Sequence, residues 1–115
     1  MTRPPALPRT LAAWGRDDFE QVFKQEAAGL DPSHLPLQAG LTQGNHALDD
    51  DIEFVLLRAE ERPEGLSLHA MIFYRSLIIG CACADDPTPE SELVEQCEVA
   101  IQIDRVTATA QITLL

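Results

Sequence analysis

The chain has 115 residues, 45% of them apolar and 23% charged, a composition that suits one ordinary domain with one core and excludes wholesale disorder and a disulfide scaffold. The formal net charge is −11, unevenly placed: Arg3, Arg9 and Arg16 stand in a stretch without an acid, and nineteen acids follow from Asp17 onward against five bases, leaving that body at −14. A body of that sign repels phosphate backbones, so direct binding to nucleic acid or to an anionic membrane surface is excluded, and a protein partner, basic in sign, is the expected counterpart.

Residues 1–15 carry Pro4, Pro5 and Pro8 among small and basic residues and read as a flexible N-terminal arm, leaving 16–115 as a single α+β domain. Within the arm, Leu7, Leu11 and Trp14 are the residues able to pin it to the body. Asp17 with Glu20 three residues on has the form of a capping box. Phe19, Val22, Phe23, Ala27 and Leu30 then recur at helical spacing until Gly29 and Pro32 stop the pattern. The spacing predicts one amphipathic helix over about 17–29.

From Asp31 to Asp51 the chain holds prolines, Gly40, Gly44, Asn45 and three consecutive aspartates, which reads as a long connector. Beyond it the apolar period falls toward two. Residues 52–60 and 66–74 read as strands joined by the five-residue loop ERPEG, and the stretch up to Ala84 is expected to break near Arg75 and Ser76 because it exceeds an ordinary strand. At the C-terminal end Val99, Ile101 and Ile103 alternate with polar residues, as do Val106, Ala108, Ala110, Ile112 and Leu114; a turn at Asp104–Arg105 would pair Ile103 with Val106 and Ile101 with Ala108.

The predicted class is therefore α+β: one N-terminal helix packed on a four- to five-stranded antiparallel meander over about 52–115, an arrangement that resembles cystatin-like architecture in outline and implies no function. Around Phe54–Leu57 and Leu77–Ala82 both strand faces are apolar, so a second cover beyond the helix is expected: the connector, the arm, or another copy in a homodimer built through a sheet face.

Three cysteines are an odd number at spacings foreign to a disulfide framework, and the first residues lack the apolar run of a secretory signal, so the expected location is the cytoplasm. No apolar run approaches the roughly 18–20 residues that span a bilayer. Cys81 and Cys83 are two apart and share a strand face; if the strand near Cys97 pairs with theirs, three thiols converge, and His69 on the neighbouring strand would complete a tetrahedral zinc site. Buried core thiols are the competing account. Asp85 and Asp86, before Pro87, form an acidic loop able to touch a partner, or an ordinary solvated turn. No phosphate-binding glycine loop, nucleophile elbow or HExxH motif is present, and no residue is assigned a catalytic role.

The leading reading is a small acidic, non-catalytic protein-binding or regulatory module. The alternative is a small metal- or thiol-dependent protein using Cys81, Cys83, Cys97 and His69. A third is a pocket between helix and sheet for a small apolar ligand.

Overall fold

The computed structural model describes residues 5–49, 51–78 and 92–115. In chain order the elements are α1 (Pro8–Ala12), α2 (Phe19–Ala28), a 3-10 turn (Pro32–His34), β1 (His46–Ala47), β2 (Glu53–Arg62), β3 (Gly65–Leu77), β4 (Leu93–Asp104) and β5 (Ala110–Leu114). The class is the expected α+β, with short helices against an antiparallel sheet. Among the described residues no helix is long and apolar enough to cross a membrane.

β3 is the spine. It pairs with β4 from Gly65↔Asp104 to Ser76↔Leu93, and its other edge is shared end to end by β2 (Arg62↔Gly65 to Glu53↔Phe73) and β1 (Ala47↔Ser76, His46↔Leu77). Strand periodicity sends Leu66, Leu68, Ala70, Ile72 and Tyr74 of β3 inward beside Cys97, Val99, Ile101 and Ile103 of β4. α2 lays the predicted stripe on this face, with Phe19, Phe23 and Ala27 buried. The Phe23 and Phe54 rings meet edge to face at 5.9 Å between centroids. Phe23, Phe54, Leu68 and Ile72 are fully buried, so side chains fill the space between helix and sheet where an apolar ligand was considered.

The helix begins at Asp18 rather than Asp17, and the Asp18 side chain makes no capping hydrogen bond; it pairs with Arg16 at 3.1 Å. In place of the predicted capping box, an edge-to-face contact of Trp14 with Phe19, 5.2 Å between centroids, fixes the approach to the helix.

Within the segment read as an arm, the described residues 5–15 carry structure. Ala110 donates to the Pro5 carbonyl at 2.8 Å and Leu7 to the Ala108 carbonyl at 2.9 Å, so the chain enters as a short extension of the sheet beside the start of β5. Pro8 then opens α1 at a position where a missing N–H costs nothing. The Glu26 carboxylate of α2 accepts from Arg9 N–H (2.9 Å), Thr10 N–H (2.7 Å) and the Thr10 hydroxyl (2.8 Å), capping α1 from another helix.

Three strand expectations change. Arg62 pairs with Gly65, so the first hairpin turns on Pro63–Glu64 alone. β3 runs without a break through Arg75 and Ser76, because Ser76 continues the inward alternation and its hydroxyl is satisfied inside. In the last hairpin Ile103 pairs with Ala110 and Ile101 with Ile112. The intervening loop is wider than a two-residue turn because the Asp104 carboxylate gathers the Val106 and Thr107 N–H groups at 2.8 and 3.0 Å, leaving Val106 91% exposed. The register moves by an even number of residues, so the predicted facing of Ala110, Ile112 and Leu114 survives.

Gly65 sits at φ +155°, and a Cβ there would run into the Ile103 carbonyl. Gly65→Ala is expected to lower stability by about 2 kcal/mol or more, and Val106→Ser by less than about 0.5 kcal/mol, in urea unfolding followed by circular dichroism. Equal effects would contradict the tight turn.

Candidate functional site

The inward row of β4 contains one acid, Glu95, only 1% exposed. Its carboxylate accepts from Thr42 N–H (2.9 Å) and hydroxyl (3.0 Å), Gln43 N–H (3.1 Å), Gly44 N–H (2.9 Å) and the Ser76 hydroxyl (2.6 Å). Burial alone would raise its pKa; the Ser76 hydroxyl, the Gly44 and Thr42 N–H groups and the Thr42 hydroxyl outweigh burial and bring it down to about 2. The carboxylate is thus ionised at neutral pH and holds three consecutive connector residues against the sheet. Gly44 lies so close that a Cβ there would overlap the Ser76 side chain. Just beyond, Asn45 N–H donates to the Leu77 carbonyl at 2.9 Å and Leu48 N–H to the Arg75 carbonyl at 2.8 Å, which seats β1.

Nearer the middle of the connector, Leu35 and Leu37 are buried, and Tyr74 donates its hydroxyl to the Leu37 carbonyl at 2.7 Å. Burial, with Cys97 and Glu95 close by, pushes the Tyr74 pKa well up, so the phenol stays a donor. Burial likewise raises the Cys97 thiol, with the Tyr74 hydrogen bond acting in the opposite sense. Cys97 is therefore a protonated core thiol.

Of the four residues expected to form a zinc site, Cys97 and His69 are described, and they lie on opposite faces of the sheet. Cys97 lies opposite Ile72 in the β3–β4 ladder and points inward, whereas His69, opposite Ala100, points to the other face of the sheet. The expectation needed a separate strand after Ser76 as the partner of β4, and the unbroken β3 takes that place. Cys81 and Cys83, like the acidic pair Asp85 and Asp86, lie outside the described residues. Among the described residues no group of three or more His, Cys, Asp or Glu side chains is placed to hold a metal ion.

The outward face of the sheet is the second feature. His69 Nε2 stands 2.9 Å from Glu98 Oε2, Arg75 from Glu92 at 3.0 Å, and Glu60 is flanked by Arg58 and Arg62 at 3.2 and 3.1 Å. Among these pairs Val55, Met71 and Phe73 are half-buried, Val94 is 66% exposed and Leu57, the extra residue of a β-bulge, is 50% exposed. The connector and both helices pack on the inward face, so the second cover predicted for Phe54–Leu57 is absent from the outward side among the described residues.

The Glu95 cluster is the residue set the sequence reading missed. Its trace in the sequence is an acid at the inward parity of an otherwise apolar row, Glu95, Cys97, Val99, Ile101, Ile103. Because the folded-state pKa lies below the ordinary 4.5, the stability Glu95 contributes is fully present above that value and is lost as pH falls through about 2. Glu95→Gln is expected to cost on the order of 3 kcal/mol near neutral pH and to flatten the acid limb of stability between pH 5 and about 2. Urea unfolding across that range checks both, and an unaltered acid limb would remove Glu95 from the account. Compared with known protein families, curated proteins and solved structures, the chain matches none.

Proposed function

We propose that the chain is a small, acidic, non-catalytic protein-binding or regulatory module of the cytoplasm that works through the outward face of its sheet. The observation that carries this reading is that face itself: Leu57, Val94, Val55, Met71 and Phe73 form an apolar strip on strands whose reverse side is already fully packed. A second copy of the chain is the occupant this reading favours. Most of a chain at −11 repels its own kind, but on this face Arg58, Arg62 and Arg75 stand among Glu53, Glu60, Glu92 and Glu98, so two copies meet there with far less repulsion than elsewhere. A two-fold interface needs one self-complementary patch, and a flat sheet face supplies it.

Sedimentation equilibrium from about 1 to 100 μM should show a reversible dimer, and Leu57→Arg with Met71→Glu should leave a folded monomer. A wild-type chain that stays monomeric over that range would end the homodimer reading.

A further inference from the structure

One ion pair on the outward face differs in kind from the others. Glu60 lies between Arg58 and Arg62, and Glu92 against Arg75. Arginine keeps its charge at every accessible pH, so those pairs are fixed. Glu98 is met by His69 instead, Nε2 to Oε2 at 2.9 Å, and histidine is the side chain that ordinarily changes charge between pH 5 and 8.

The pair stands where a covering copy would reach it. Glu98 is opposite Met71 in the β3–β4 ladder, and His69 precedes Met71 by two residues on the same face, so both border the apolar strip. Their side chains are 36% and 47% exposed, open to protons in the monomer and within the area that a copy seated on Met71 must cover. β2 places Arg58 opposite His69, with Glu60 and Arg62 farther along; β4 contributes Glu98, and β5 carries no charged side chain. The other histidines are remote: His34 belongs to the connector, and His46 lies opposite Leu77, eight residues farther along β3 than His69.

The charge balance gives the sign. With His69 neutral, Arg58, Arg62 and Arg75 against Glu53, Glu60, Glu92 and Glu98 leave this face at −1 per copy. A dimer through it then encloses one Glu98 carboxylate from each copy, whose charge a neutral imidazole does not balance, and taking such a charge out of water is costly. Protonation of His69 makes the contact a true ion pair with its hydrogen bond in place, and brings the face to zero. The dimer therefore takes up protons relative to the monomer, so it tightens as pH falls and loosens as pH rises.

We propose that the His69–Glu98 pair is a pH switch for self-association, in which mild acid closes the dimer and mild alkali releases it. The switch rests on the homodimer reading of the same face.

Sedimentation equilibrium of the full chain near pH 8 and near pH 6, in about 0.15 M salt to screen distant charges, tests the two ideas separately. The expected result is a dimer at both, with a dissociation constant about tenfold lower at the acid value. His69→Gln keeps a hydrogen-bonding side chain that cannot be charged, and should hold the dimer at its alkaline strength throughout. Glu98→Gln removes the unbalanced carboxylate; it should tighten the dimer at the alkaline value and abolish the gain on acidification. His34→Gln with His46→Gln should leave the response whole. A wild-type dimer equally strong at both values, or a response that persists in His69→Gln, overturns the switch and leaves the dimer standing. A chain that is monomeric at both values ends the dimer reading, and the switch with it.

Discussion

An ionised carboxylate on the inward face of a central strand is a severe constraint, since a buried charge is tolerated only when it is fully hydrogen-bonded. Glu95 meets that condition by drawing on Ser76 of β3 and on the backbone of Thr42, Gln43 and Gly44, which no sheet ladder could otherwise have used. The solution commits the connector. Once residues 42–44 are fixed, Asn45 and Leu48 fall into line along β3, and on the other side Leu37 comes under the Tyr74 hydroxyl. The seat of β1 and the cover over Cys97 both follow from one acid.

Glu26 performs the same operation at the opposite end of the chain's layout. It takes consecutive N–H groups of Arg9 and Thr10, where α1 is too short to be stable by itself, and ties the N-terminal segment to α2. A chain of this size has limited apolar area to bury, and long loops with few apolar residues have still less. Carboxylates that collect adjacent backbone donors let such segments be held in place without a long helix or strand of their own. Part of the acidic excess thus serves the architecture, although most of the acids remain in solvent.

The class, the stripe of α2 and the facing of the last hairpin were legible because each depends on a repeated pattern that many residues vote for. Phe19, Phe23 and Ala27 are buried as their spacing requires, and Ala110, Ile112 and Leu114 keep their side even though their ladder partners moved. What was not legible depends on one residue or one contact far away in sequence. Asp104 gathers two N–H groups and lengthens a turn. Pro8 reads as a breaker until Glu26 supplies the cap that makes it a helix start. Ser76 reads as a turn residue until Glu95, nineteen positions on, accepts its hydroxyl. The proposed quartet of Cys97 and His69 with Cys81 and Cys83 rested on the strand break at Ser76, so a single missed hydrogen bond placed two residues together that the sheet keeps apart.

The two edges of the sheet are managed by different physics. Among the described residues β2 pairs on one side only, and its other side is guarded by a bulge at Leu57 and a run of charges, Arg58, Glu60, Glu61 and Arg62, that opposes pairing with another strand. Among the described residues the part of β4 beyond β5 has no such guard. Gln96 is neutral, Val94 is apolar, and Glu98 is already engaged by His69. Recession protects it instead, since the end of β5 and the Glu95-bound connector stand on either side.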